Sequence, residues 1–375
     1  MRYYLIAGEA SGDLHGAALM RELALQDSEA QFRFRGGDTM KAAAEINGGE
    51  MFRHYGENAI MGVAEVAAKA GRILADLRTT EEDVVDWKPD VLILIDLPAF
   101  NLRVAKYAHQ HGIKVFYYIA PKLWARGEGR IRKIRKYVDE LFVIFPFEVD
   151  YFARLGVKAH YFGNPLLDTV GEQQGPLPAP AADGDPRPVI AMLPGSRKAE
   201  LKWMMPRLAA LEKTLDKDYR LVIAGVPTFK AEEYAAFLPE DSRIEVRYGD
   251  TCDLFREASA AVVCSGTASL EAALVGVPQV VCYGFNHITY LLAKLTVKIK
   301  LVSLPNIILG REAVRELIQG DCTPEAIRSE LELLLHDDLR RARIQADYAE
   351  LRARMKNPGA ASRLASGIIQ SVLNR

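Results

Sequence analysis

Apolar and polar positions along this 375-residue chain follow two alternating rhythms. Short apolar runs at residues 3–7, 32–35, 90–97, 114–119, 141–145 and 159–162 predict strands. Helical spacing over residues 14–25, 60–77, 102–111 and 131–137, and from Phe147 onward, fills the intervals. The run at 90–97, DVLILIDL, hardly alternates, which is what a central parallel strand buried on both faces requires. Strands interleaved with helices predict a doubly wound parallel sheet.

The pattern breaks at residues 172–188, where Pro176, Pro178, Pro180, Pro186 and Pro188 stand among small residues. That composition predicts a stiff, exposed linker. Asp183-Gly184-Asp185 inside it is similar to a metal-holding D-x-D, but no apolar strand leads into it, so a solvated turn explains it. The rhythm restarts with strands at 189–193, 221–224, 244–247, 261–264 and 279–282, and residues 324–374 read as helices only. The expectation is therefore an α/β chain of two Rossmann-like doubly wound domains facing across a cleft. Ligands of such sheets bind at the carboxyl ends of the strands.

Four loops occupy those ends: 8–13, 96–101 (DLPAFN), 193–197 (LPGSR) and 265–271. The last follows an apolar strand and opens a helix, which points free backbone N–H groups at an anion. Gly266 allows close approach there, and Ser265 and Thr267 add hydroxyls. Glu271 lies one turn in, where it could accept both hydroxyls of a ribose. A small polar turn without a ligand is the plain alternative. Arg197, after Gly195 and Ser196, suits a pyrophosphate through its forked guanidinium. Asp96 ends the most apolar strand, where partial burial would raise its pKa as a general base requires. Asp13, Glu9 and His15 are rival acids and bases, with loop hydrogen bonding or helix capping as the alternative for each.

Composition excludes several classes. The net charge of −1 argues against a general nucleic-acid binder. Cys252, Cys264, Cys282 and Cys322 lack ligand spacing, and three lie in or beside apolar runs, so reduced core thiols are expected. No metal constellation, dinucleotide G-x-G-x-x-G or nucleophile G-x-S-x-G occurs. No signal-peptide core and no membrane-spanning apolar run is read, which predicts a cytoplasmic protein that could still touch a membrane. Two stretches mix basic and apolar residues: 126–136, after Leu123-Trp124, and 288–301. They suit an anionic lipid surface or a phosphorylated amphiphile, or are ordinary solvated helix faces.

The motifs AGEASGD (7–13), MGVAEV (61–66), IDLPAFN (95–101), YIAPKLWA (118–125), LPGSR, SGTASLEAAL (265–274) and SLPNIILGRE (303–312) run in one order. Together they resemble the lipid-A-disaccharide synthase family, glycosyltransferase family 19. The resemblance implies a GT-B hexosyltransferase of Gram-negative lipopolysaccharide biosynthesis. It implies a UDP-2,3-diacylglucosamine donor, a 2,3-diacylglucosamine 1-phosphate acceptor, an inverting β-1,6 linkage and no cofactor. It implies an acceptor and lipid domain at 1–171, a UDP-sugar domain at 189–345, and helices at 346–375 crossing back to the first domain. Asp96 resembles the family's essential carboxylate, with Asp13 and Glu9 as further catalytic candidates. UDP would meet Gly195, Ser196, Arg197, Tyr248, Ser265, Gly266, Thr267 and Glu271, the uracil edge lying near Tyr248-Gly249-Asp250. Asn306 and Ser303 would meet the donor sugar or phosphate, and Met61, Asn101, Trp124 and Arg126 the acceptor or lipid. The cytoplasmic face of the inner membrane is the implied location, with a homo-oligomer as a further expectation and no nucleic-acid partner.

Two positions depart from the family pattern. Ala99 stands where an acid is frequent, and Asn164 where a His is frequent. The rival readings are another UDP-sugar enzyme on this fold, such as a UDP-N-acetylglucosamine 2-epimerase or a muramyl-type transferase, and a non-catalytic nucleotide-sugar sensor. DLPAFN and the apolar helix at 60–77 argue against the first.

Overall fold

The protein is described here from a computed structural model, which covers residues 1–58, 66–125, 127–171, 185–215, 217–249, 251–284, 301–356 and 358–374. Met61 with most of its motif, Arg126, Asp250, residues 172–184 of the linker and most of the stretch 288–301 lie outside the described residues. The chain divides into two compact units, Met1–Asp168 with Asn357–Arg375, and Thr169–Lys356.

Among the described residues the first unit holds seven parallel strands: β1 (Arg2–Ile6), β2 (Gln31–Gly36), β3 (Gly49–His54), β4 (Val91–Ile95), β5 (Lys114–Tyr118), β6 (Glu140–Val143) and β7 (Ala159–Tyr161). Their order is β3-β2-β1-β4-β5-β6-β7. The order reverses at β1, so the loops after β1 and β4 emerge side by side. Every residue of β4 is buried, as its unbroken apolar run requires. Two apolar cores cover the two faces of the sheet, one around Leu5, Phe34 and Ile93, the other around Ile6, Leu92 and Tyr117.

The second unit repeats the plan with β8 (Val189–Leu193), β9 (Arg220–Gly225), β10 (Glu245–Tyr248), β11 (Ala258–Cys264), β12 (Gln279–Tyr283) and β13 (Arg315–Ile318). All pair in parallel, in the order β10-β9-β8-β11-β12-β13. Here the loops after β8 and β11 are neighbours. All four cysteines are buried thiols, and none is in a disulfide. Asp185 pairs with Arg187 across 2.7 Å.

Strands β3 and β13 are absent from the pattern reading. Among the described residues each pairs with one neighbour only, and each carries half-exposed or charged positions, so neither shows the apolar run of a central strand. The C-terminal helices divide differently from the expected boundary at 346. The helix Asp338–Met355 stays with the second unit, where the Tyr348 hydroxyl donates to the Val277 carbonyl at 3.0 Å and Gln345 reaches the Gly276 carbonyl at 2.7 Å. Only the helix Ala360–Leu373 joins the first unit, burying Leu364, Ala365 and Ile368 in its core.

The start of that returning helix is fixed by one carboxylate. Asp168 accepts the backbone N–H groups of Gly359 and Ala360. Asp168→Ala is expected to lose a helix cap, costing about 0.5–2 kcal/mol. A urea titration of the full chain checks this, through a lower midpoint at unchanged slope.

Candidate active site

The chain leaves β4 through two consecutive residues in the left-handed region, Asp96 at φ 48° and Leu97 at φ 47°. L side chains rarely adopt that backbone, and it persists only where surrounding contacts enforce it. The contacts are specific. The Asp96 N–H donates to the Tyr118 carbonyl at 3.1 Å. The Asp96 carbonyl accepts from Asn101 Nδ2 at 2.8 Å and from the Tyr117 hydroxyl. Asn101 Nδ2 also reaches the Ile95 carbonyl at 3.2 Å. A Cβ on Gly8 would fall 2.2 Å from Leu97 Cδ2, so a side chain there would force the Leu97 side chain to move.

This turn leaves the Asp96 carboxylate partly buried. Burial raises its pKa, the charge of Glu9 raises it further, and Lys122 pulls it back. Glu9 itself is exposed at the start of the helix Ala10–Gln26. Lys122 was not singled out by the sequence, although it lies in the YIAPKLWA motif. Asn101 is completely buried and its amide nitrogen holds the turn, so it positions Asp96.

The rivals of Asp96 have other partners. Asp13 is buried and accepts three backbone N–H groups, from Gly37 at 2.6 Å, Thr39 at 2.9 Å and Met40 at 3.1 Å. It therefore caps the helix Asp38–Asn47. Burial lowers the His15 pKa to about 4, against a smaller opposing pull from Asp168. Asn164 donates to the Ile144 carbonyl at 2.8 Å and accepts from the Leu166 N–H at 2.9 Å, so both ends of its amide hold backbone. Trp124 Nε1 donates to Glu148 at 2.9 Å, and its ring packs on Phe145 and Phe147. Glu148 also accepts the Phe145 N–H at 3.0 Å. Burial pushes its carboxyl up to about 7 against these donors.

In the second unit the loops after β8 and β11 carry the candidate nucleotide residues. Gly266 and Thr267 are exposed, and among the described residues a Cβ on Gly266 would meet nothing within 4 Å and no side chain caps the helix Thr267–Val275. That helix start is open to an anion. Ser265 Oγ reaches the Val302 carbonyl at 3.3 Å. Glu271 accepts from Cys252 Sγ at 3.1 Å, beside the end of β10. The exposed ring of Tyr248 lies against Gly225, and its hydroxyl donates to the Phe229 carbonyl at 3.0 Å.

The turn after β8 differs from the open cradle expected of it. Glu200, one turn into the following helix, accepts from the Ser196 N–H at 2.9 Å and the Arg197 N–H at 3.2 Å, and pairs with Arg197 Nη1 at 3.0 Å. The chain's own carboxylate thus sits where an external anion would. Gly195, at φ 103°, would drive a Cβ within 2.5 Å of Glu200 Oε2. A Glu three residues after a helix cap is the sequence signal that marks such a residue.

Ser303 and Asn306 were expected to reach the donor, but both are buried and satisfied within the chain. Asn306 Oδ1 accepts from the Ala313 and Val314 N–H groups, and its Nδ2 donates to the Val314 carbonyl and to Glu316. Ser303 Oγ donates to Glu316 at 2.7 Å. Glu316 also accepts the Val302 and Ser303 N–H groups. The S-L-P-N segment is therefore a buttress that fixes Val302, whose carbonyl in turn holds Ser265.

A sequence model of the family "Lipid-A-disaccharide synthetase" matches residues 3–370. The lipid-A-disaccharide synthase of Myxococcus xanthus is 36% identical over 380 residues, covering 98% of this chain and 97% of that protein. Among solved structures, the UDP-GlcNAc 2-epimerase of Neisseria meningitidis bound to UDP-GlcNAc superposes with a TM-score of 0.67 at 12% identity, covering 100% of both chains. The calicheamicin glycosyltransferase gives a TM-score of 0.61 at 17% identity, covering 100% of this chain and 99% of that one. These structural likenesses show the fold, which is GT-B.

The buttress predicts a structural phenotype for a motif residue. Asn306→Ala strands the buried Ala313 and Val314 N–H groups and is expected to destabilise the protein by about 2–4 kcal/mol. Denaturant unfolding of the variant against the parent protein checks this.

Proposed function

The chain belongs to the lipid-A-disaccharide synthetase family, and from that premise we propose that it joins UDP-2,3-diacylglucosamine to 2,3-diacylglucosamine 1-phosphate, releasing UDP and forming a β-1,6-linked disaccharide. The observation that carries this reading is the family match over residues 3–370. The likeness to a UDP-GlcNAc 2-epimerase, at 12% identity, speaks for the fold alone and does not favour that rival. The sensor reading leaves the enforced turn at Asp96 without a use.

In the proposed mechanism, Asp96 takes the proton from the acceptor 6-hydroxyl as that oxygen attacks the donor anomeric carbon. The attack comes from the side opposite UDP, so one displacement inverts the centre. The raised pKa of Asp96 makes it a stronger base than an ordinary carboxylate. Negative charge grows on the leaving diphosphate. Arg197 and the open helix start at Thr267 would stabilise it, an effect typically worth several kcal/mol. The diphosphate would replace Glu200 as the partner of the Ser196 and Arg197 N–H groups. Glu271 would hold the ribose and Tyr248 the uracil edge.

The lipid side has independent support. Ile73 and Leu74 are exposed apolar residues on the helix Val66–Trp87. The helix Ile131–Tyr137 buries Ile131 and Ile134 and exposes Arg132, Lys133, Arg135 and Lys136. A basic face of this kind suits the anionic cytoplasmic surface of an inner membrane. No described helix is long and apolar enough to cross a membrane.

Supplying both lipid substrates in detergent is expected to yield UDP and a tetra-acylated disaccharide; their absence would overturn the assignment. Asp96→Asn is expected to cut turnover by roughly 10²–10⁴. The base acts only when ionised, so kcat/KM should fall as pH drops through a pKa above the usual carboxylate range. The pH profile of Asp96→Asn should lack that limb. Calorimetric titration of Glu271→Ala with UDP should show weaker binding, and unchanged affinity would reject the ribose role.

A further inference from the structure

In the parallel pairing of β2 with β3, Arg35 stands directly opposite Arg53. Like charges side by side on adjacent strands repel. Both are next to last in their strands, at the carboxyl edge where ligands of such sheets bind. Asp76, on the helix Val66–Trp87, faces both. Arg35 Nη1 and Arg53 Nη1 each lie 2.7 Å from the same oxygen, Asp76 Oδ1. The neighbouring acids serve another cation, since Asp83 and Glu50 both pair with Arg33. Arg35 Nε is buried with no hydrogen-bond partner among the described residues. Two guanidinium forks thus converge on one carboxylate oxygen, with donor capacity left over. Oxygens of a phosphate monoester match such forks in geometry and charge.

The pair also lies near the proposed base. Arg35 pairs with Ile6, and Ile6 with Leu94, two residues before Asp96. Two strand spacings, about 10 Å, separate the strands concerned. Arg35 Cζ sits 4.9 Å from the ring centroid of Phe100, four residues after Asp96 in the DLPAFN segment. A hexosamine with its reacting hydroxyl at Asp96 would extend its far end toward the arginines. Arg53, with 27% of its side chain exposed against 7% for Arg35, is the one that a ligand reaches from solvent.

We propose that Arg35 and Arg53, converging on Asp76, form the subsite for the phosphate monoester of the acceptor sugar. This rests on the transferase reading above. Arg53 makes the direct contact, and Arg35 holds the field and the geometry behind it. The subsite is a specificity device, rewarding an acceptor that carries phosphate at the end remote from the reacting hydroxyl.

The test compares two acceptors, 2,3-diacylglucosamine with and without its 1-phosphate, in the parent protein and in Arg53→Gln and Arg53→Lys. Formation of disaccharide by the parent protein establishes the transferase reading separately; no product would remove that reading and this one with it. The expected result is a parent preference for the phosphorylated acceptor. Arg53→Gln should raise its KM and lower its kcat/KM by roughly 10- to 100-fold, the range of a hydrogen bond between charged groups. Turnover at saturation should change little, and the preference for phosphate should collapse. Arg53→Lys should restore part of that preference, since a point charge replaces the fork. Equal losses with both acceptors would mean a merely structural role and would overturn the proposal. So would an unchanged preference in Arg53→Gln, or a parent protein indifferent to the phosphate.

Discussion

A strand buried on both faces has to send its polar chemistry to its ends. Strands β4 and β11 obey this constraint, with VLILI buried throughout and AVVC buried up to Cys264. The first polar side chains after them are Asp96 and Ser265. Parallel pairing makes every strand of a sheet end on the same edge, so these groups meet the residues that end their neighbours. The reversal of order at β1 and at β8 decides which loops meet. It brings the loop after β1 beside Asp96, and the turn at Gly195–Arg197 beside the one at Ser265–Thr267.

The acids of the protein separate by what they accept. Asp13, Glu200 and Glu316 each take several donors from the chain, and each closes a loop or caps a helix. Asp96 instead sits in a turn whose backbone is held by Tyr117, Tyr118 and Asn101 while its carboxylate faces partial burial and Glu9. Enforced backbone beneath a destabilised charge suits the proton-transfer role proposed for Asp96. Glu200 shows the complementary case, a carboxylate resting on the N–H groups that the proposed diphosphate would take.

Buried polar groups explain why conspicuous motifs divide into chemistry and support. In SLPNIILGRE, Asn306 uses both ends of its amide within the chain, and Ser303 answers Glu316. The segment contributes by fixing Val302 under Ser265. Asn101 does the same service for Asp96 within the DLPAFN segment. A motif side chain can therefore hold the backbone of a neighbouring loop, and its hydrogen-bond partners reveal this.

The sequence by itself determined the central strands, the doubly wound class of both halves and the loops at the strand ends, because apolar runs and turn residues act locally along the chain. It also carried the family, through motifs whose order spans most of its length. It did not reveal the edge strands β3 and β13, whose half-exposed residues lack an apolar run. Nor did it show that the helix Asp338–Met355 stays with the second unit while Ala360–Leu373 returns to the first, since burial of Tyr348 and Leu364 depends on distant partners. Only the tertiary structure decided that Asp13 caps a neighbouring helix, that Arg35 faces Arg53, and that the charges of Glu9 and Lys122 act on Asp96. Each of these is a meeting of residues far apart in the chain, set by strand order and register, which local pattern does not encode.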